Sequence, residues 1–255
     1  MTQDYILEVQ DLYKRFGGLE ATRYVSFRVK AGELLGILGP NGAGKTTLFN
    51  QLSGAFPPTS GRILFKGWEI TGLKPYQIAN RGIVRTFQIV RPFRELTVAE
   101  NVTIPCLSHR GRGLIGNLGQ GGLRRWVTEV LEMVELAPKM HLAAGLLTHG
   151  ELKKLEVARA LAMRPEIILL DEPFAGLGYQ EIAPVAEVIR RLNAENGVTV
   201  LIIEHKLREF MRLVKRIVAL NYGEKIAEGT PEEIVQNPLV VEAYLGKGGT
   251  ALANS

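Results

Sequence analysis

The sequence predicts an α/β protein: a mostly parallel sheet, an N-terminal antiparallel β subdomain and an inserted α-helical subdomain. Three observations predict it. From Arg164-Pro165 onward, apolar strand-sized runs alternate with helix-period segments, the pattern of a parallel sheet covered on both faces. A glycine-rich stretch, Gly39 to Gly44, joins a continuous apolar run to a helix pattern. Between about residues 89 and 165 helix periodicity takes over and no strand pattern is visible. The expected organisation is a core of residues 1–88 and 166–255, interrupted by a helical subdomain of residues 89–165.

The elements follow in order. Ile6 to Leu12 and Tyr24 to Val29 alternate apolar and polar residues, as half-buried strands do. Glu33 to Leu38 is a buried strand that ends in the glycine stretch, and a helix begins at Lys45. Arg62 to Phe65 and Ile83 to Thr86 are further short strands. Leu123, Trp126, Val127, Val130, Leu131 and Val134 recur at three- and four-residue spacing and form one apolar helix face. Leu152, Leu155, Ala158, Leu161 and Ala162 repeat that pattern. Ser108 to Gly122 holds six glycines and predicts a mobile surface loop. Ile167 to Leu170 and Val198 to Ile203 are buried strands, each followed by a helix pattern. Arg216 to Leu220 and Lys225 to Glu228 are late strands. Thr230-Pro231-Glu232-Glu233 opens a final helix with a capping residue, an early proline and early acids.

Composition sets outer bounds. The 255 residues are 46% apolar and 22% charged, ample for a core. The net charge of +5 suits an acidic partner without choosing among nucleotide, nucleic acid and anionic lipid. A single cysteine, Cys106, excludes an internal disulfide and fits a reducing cytoplasm. No run approaches the roughly 18 apolar residues that a membrane helix needs, and Met1 to Glu8 lacks the pattern of a signal peptide. A role at a membrane would therefore be served from the water side.

Two segments carry chemistry. Gly39-Pro40-Asn41-Gly42-Ala43-Gly44-Lys45-Thr46-Thr47 fits G-x-x-x-x-G-K-[ST], with a strand before it and a helix after it. Glycines let such a loop curl so that backbone N–H groups converge on phosphate oxygens. The helix that follows adds the positive end of its dipole. Lys45 supplies a compact charge for the β- and γ-phosphates, and Thr46 a hydroxyl for Mg²⁺. This is the P-loop of a nucleotide triphosphatase core. The second segment, Ile167-Ile168-Leu169-Leu170-Asp171-Glu172, is a buried strand ending in two carboxylates, where open α/β sheets bind ligands. Asp171 is placed to hold Mg²⁺, and Glu172, facing another side, to activate the attacking water.

Three further segments narrow the class: Arg85-Thr86-Phe87-Gln88, Leu147-Thr148-His149-Gly150-Glu151 and Glu204-His205. Their set and order resemble the ABC-transporter ATPases along nearly the whole chain. The resemblance implies a signature segment, usually LSGGQ, that covers the ATP of a partner subunit; here Thr148 and Gly150 keep the hydroxyl and the second glycine, while His149 and Glu151 depart. It implies that Gln88 links Mg²⁺ and the attacking water to a membrane partner. It implies that His205 contacts the γ-phosphate. Phe16, or else Tyr13, would stack on adenine. Gly178 stands where many relatives carry Asp or Asn, which implies weaker communication between the two sites of a dimer.

Phe16-Gly17-Gly18-Leu19, Val84 to Gln88, Phe93 to Asn101, Gly229 to Glu232 and Asn237-Pro238…Ala243-Tyr244-Leu245-Gly246 resemble the larger ATPase of branched-chain amino acid importers, a group that also carries hydrophobic amino acids, amides or urea. This implies ATP and Mg²⁺ as ligands and a second ATPase subunit as partner, a different chain in the branched-chain type. It also implies two transmembrane permease subunits, an extracytoplasmic substrate-binding protein and a peripheral place on the cytoplasmic face of the membrane. No nucleic acid is expected. The competing readings are a lipopolysaccharide-export ATPase, a soluble ABC ATPase acting on nucleic acid or ribosomes, and a non-hydrolysing regulatory subunit.

Overall fold

A computed structural model of the chain describes residues 5–86, 92–107 and 119–245. The chain divides into two compact units, Met1–Ile78 with Thr199–Ser255, and Ala79–Val198.

In the first unit, β1 (Tyr5–Phe16) and β2 (Leu19–Lys30) form a long antiparallel hairpin. Gly17 supplies the left-handed turn between them at φ 55°. β4 (Ser60–Phe65) pairs antiparallel with β1, and the short β5 (Trp68–Glu69) with β4. Buried residues alternate along these strands, Leu7 and Val9 on β1 and Val25, Phe27 and Val29 on β2, so one face meets the core. The same unit holds β3 (Leu34–Leu38), β8 (Thr199–Ile203), β9 (Arg216–Asn221) and β10 (Glu224–Gly229) in the order β10-β9-β3-β8. β3 runs parallel to both neighbours, and β10 is antiparallel to β9. All residues of β3 and β8 are buried, the mark of strands covered on both sides.

Helix α1 (Lys45–Leu52) leaves β3 through the glycine loop, and α7 (Leu207–Leu213) connects β8 to β9. A Cβ at Gly36 of β3 would lie 2.3 Å from the ring of Phe210. Glycine there lets this fully buried aromatic seat α7 on the sheet, worth roughly 1.5–3 kcal/mol of burial. The expected final helix is two helices, α8 (Pro231–Gln236) and α9 (Pro238–Leu245). They break at Asn237 because the residue before a proline is pushed out of the helical region, and Asn237 sits at ψ 120°.

In the second unit, β6 (Ile83–Arg85) and β7 (Ile167–Asp171) pair in parallel, with Arg85 opposite Leu169. The longer elements among the unit's other described residues are helices: α3 (Val98–Cys106), α4 (Gly119–Met133), α5 (His149–Leu161) and α6 (Tyr179–Asn196). Helix α2 (Pro75–Arg81) contains the division between the units. The apolar face foreseen on α4 is buried at Val127, Val130 and Leu131. That helix begins at Gly119, inside the stretch expected to be loop; three of its first four residues are glycines, which hide helix periodicity. Asn101 is fully buried on α3. Its amide accepts from Phe93 N–H and donates to the carbonyls of Phe93, Leu96 and Thr97, pinning the approach to the helix. Among the described residues no helix is long and apolar enough to cross a membrane.

Candidate functional site

The phosphate loop begins where β3 ends. Gly39 takes φ 154°, and a Cβ there would lie 2.3 Å from the Leu220 carbonyl oxygen. Gly44 takes φ 97°, with the Ala21 carbonyl oxygen 2.3 Å from the same notional Cβ. Only glycine fits at either position. Gly42 at φ 80° has open space, so its demand is conformational alone. Helix α1 starts at this loop with no side-chain cap and no acid in its first turn. The helix's own first turn thus offers no carboxylate to its leading N–H groups, which favours an anion there.

Lys45 is 5% exposed, and a buried ammonium needs acceptors. It donates to the carbonyls of Gly39 at 2.6 Å and Pro40 at 2.9 Å. The charge is held over the loop itself. Asn41, Gly42 and Thr46 are exposed, and Pro40 and Thr47 half-buried. Ala43 is buried and ties the loop to the β9–β10 turn by accepting from Gly223 N–H.

Phe16 is 44% exposed and meets Phe56 edge-on at 5.2 Å. Tyr13 stacks on Tyr24 and donates its hydroxyl to Glu20. One face of the Tyr13 ring is therefore already covered. Phe16 pairs with Leu19 across the hairpin turn, two residues from Ala21, whose carbonyl lies against Gly44. His205 is exposed at the end of β8, while Glu204 beside it is buried and accepts the N–H groups of His205 and Lys206.

One contact was not foreseen. Tyr244 on α9 accepts the Gly39 N–H at 3.0 Å. Burial pushes its phenol up to about 12, against the lowering effect of that hydrogen bond.

The second unit holds the acidic pair. Asp171 closes the wholly buried β7 and is 3% exposed. Its Oδ2 lies 2.5 Å from Nη2 of Arg85. Glu172 is half-buried and takes φ 51°, the left-handed region, which costs a non-glycine residue about 1–3 kcal/mol. The strand ends at Asp171, and Glu172 makes the turn that follows it.

Thr148 is exposed and is the N-cap of α5. It accepts Glu151 N–H at 3.3 Å, and Glu151 accepts Thr148 N–H at 3.0 Å, a reciprocal capping box. Glu151, a departure from the usual signature, is thus the box partner and also pairs with Lys139. Burial alone would raise the Glu151 carboxyl. The Lys139 hydrogen bond, the Thr148 N–H and the Lys139 charge outweigh burial and hold it below the usual carboxylate range. Gly150 is buried and donates its N–H to Glu181 at 3.3 Å. Glu181 also accepts Gly178 N–H at the start of α6, so one carboxylate joins the two helix starts. His149 packs over Gly176, 2.8 Å from a notional Cβ there. Gln88 lies outside the described residues. Among the described residues, no cluster of three or more His, Cys, Asp or Glu could hold a metal.

The ABC transporter family model matches residues 22–175, and that of the branched-chain amino acid ATP-binding cassette transporter matches residues 224–250. The high-affinity branched-chain amino acid transport ATP-binding protein BraF of Pseudomonas aeruginosa is 41% identical over 250 residues, covering 95% of this chain and 98% of BraF. Among solved structures, an ATP-binding cassette of an ABC transporter in its ADP conformation superposes with TM-score 0.83 at 32% identity, covering 95% of this chain and 99% of that one. A dimeric ATP-binding cassette in a post-hydrolysis state with ADP and Pi superposes with TM-score 0.75 at 27% identity, covering 88% and 98%.

Proposed function

The chain belongs to the ABC transporter family, and from that premise we propose that it is the ATP-hydrolysing subunit of an importer for branched-chain or related hydrophobic amino acids and amides. The phosphate loop carries this reading. Gly39 and Gly44 occupy positions where a side chain would collide with backbone, and the loop's lysine is held over the curl by two carbonyls. The cargo class rests on the likeness to BraF and on the C-terminal family match.

ATP is held by the loop of residues 39–47 through backbone N–H groups from Asn41 onward, with Lys45 turning from the carbonyls of Gly39 and Pro40 to the β- and γ-phosphates. Phe16 is the adenine platform. Mg²⁺ fits the donors present, a hydroxyl at Thr46 and a carboxylate at Asp171, because it is usually held by one or two carboxylates together with substrate phosphates. When bound it neutralises charge on the β- and γ-phosphate oxygens. Glu172 takes a proton from the attacking water, His205 donates to the γ-phosphate, and Gln88 orients the water and the metal. Thr148 and Gly150 meet the ATP of a partner subunit. Gly150 N–H then exchanges Glu181 for phosphate.

ATP binds the closed dimer better than the open one and so shifts the population toward it. Hydrolysis removes the bridging γ-phosphate and the dimer opens. Residues 89–165 pass this motion to transmembrane partners, with the chain peripheral on the cytoplasmic face of the membrane.

The test has two arms. Calorimetric titration with ATP should show binding that Lys45→Ala weakens by a hundredfold or more; equal affinity in the two proteins would overturn the loop assignment. Uptake of radiolabelled leucine by cells lacking the gene should return with the wild-type chain and not with Glu172→Gln. Restored uptake with that variant would overturn Glu172 as the base, and no return of uptake with the wild-type chain would overturn the importer reading.

A further inference from the structure

Arg85 has no part in the reading above, yet its side chain is only 8% exposed. It is the last residue of β6 and lies opposite Leu169 of the parallel strand β7. Side chains repeat every two residues along a strand, so Leu169 and Asp171 share a face. The guanidinium therefore reaches one repeat further along β7 to meet Asp171, 3% exposed, at 2.5 Å. Thr86 reinforces the join. Its N–H donates to the Leu169 carbonyl at 3.0 Å. Its hydroxyl donates to that carbonyl and accepts Asp171 N–H, each at 3.4 Å. The end of β7 is clamped to the end of β6 by backbone, hydroxyl and ion pair.

A carboxylate this deeply buried needs a cation, since removing one member of a buried pair leaves an uncompensated charge. Two cations at the same buried carboxylate repel each other strongly in a low-dielectric setting. Arg85 and a divalent ion are thus alternatives at Asp171. We propose that Arg85 is a counter-ion latch. Its guanidinium holds the Asp171 carboxylate in the nucleotide-free protein and yields it to Mg²⁺ when nucleotide arrives. Arg85 acts through Asp171 and is a positioning residue. The inference rests on Asp171 being a Mg²⁺ ligand in the proposed function.

The experiment measures ATP binding to the full chain by calorimetry over a series of Mg²⁺ concentrations. Arg85→Met should lower the Mg²⁺ midpoint by about threefold or more, because the competing cation is gone. A smaller fall, or a rise, overturns the latch. The wild-type chain gives a second readout that does not depend on the variant folding. Its Arg85 Nε–H resonance is followed by NMR and identified by its loss in Arg85→Lys. That resonance should be unchanged by ATP in EDTA and should shift when Mg²⁺ is then added; a resonance that ignores Mg²⁺ overturns the latch. A wild-type chain that binds no ATP at all would instead overturn the nucleotide reading itself.

Discussion

Glu172 combines an assigned chemical task with a backbone that its residue type disfavours. The left-handed φ of 51° would suit glycine, and a glutamate held there stores about 1–3 kcal/mol. Strain of this kind persists where the surroundings impose it, and relieving it commonly costs activity. Glu172→Gly should therefore raise the unfolding midpoint, by about 1 kcal/mol in stability, while abolishing ATP turnover. Glu172→Gln keeps the strain, leaves the midpoint near wild type, and should accumulate ATP-bound dimers on size-exclusion chromatography. A Glu172→Gly protein that is less stable than wild type would refute the strain argument. At this scale the sequence shows which residues carry charge and where glycine recurs, so residues 39–47 and Asp171-Glu172 were legible. Partners were not. Arg85 meets Asp171 across 86 positions, and no local pattern announces such a pairing.

Helix α5 shows what a local pattern does announce. Thr148-His149-Gly150-Glu151 is an S/T-x-x-E box, as are Thr97 to Glu100 and Thr230 to Glu233, and all three form reciprocal caps. At Thr148 the box is written in the sequence, in the same residues that resemble the signature segment. The Glu151 carboxyl lies below its ordinary range in the folded chain. The sign follows from that direction. Its stabilising effect is complete above the unfolded carboxylate pKa, about 4.3, and is lost as pH falls through the lower folded value. Glu151→Gln should cost about 1 kcal/mol near neutral pH, within the range for caps and partly exposed ion pairs. The gap from wild type should close toward pH 3. Denaturant unfolding of both proteins across that range checks it, and a gap that widens on acidification would show that Glu151 is not the stabilising carboxylate. Continuous apolar runs such as β3, β7 and β8, and the helix period of α4, were legible because burial on both faces or on one dictates them. The two-residue β5 was not, since so short a strand has no period to detect, nor was the glycine-rich start of α4.

Across the whole molecule, the C-terminal segment matters more to the nucleotide loop than its distance along the chain suggests. The alternation of strands and helices was enough to foresee a mostly parallel sheet with an antiparallel partner sheet, and both are present. It could not show that α9 returns to the first residue of the loop. Gly39 stands one residue beyond β3, where its N–H turns to the Tyr244 hydroxyl rather than to a strand. The carbonyl of the same glycine receives Lys45. Both ends of Gly39 are therefore fixed, one by the helix near the end of the described chain and one by the Lys45 ammonium. Tyr244→Phe keeps the ring and removes only the acceptor, leaving a buried N–H unsatisfied at a cost of about 1–3 kcal/mol. Thermal unfolding should register that loss. Because the loop must curl in one way to present its amides, part of the cost should also appear as weaker ATP binding, about fivefold by calorimetry. A variant that loses stability and binds ATP as tightly as wild type would show that α9 merely packs beside the loop, whereas a loss in both measurements would make the C-terminal helix a working part of the nucleotide site.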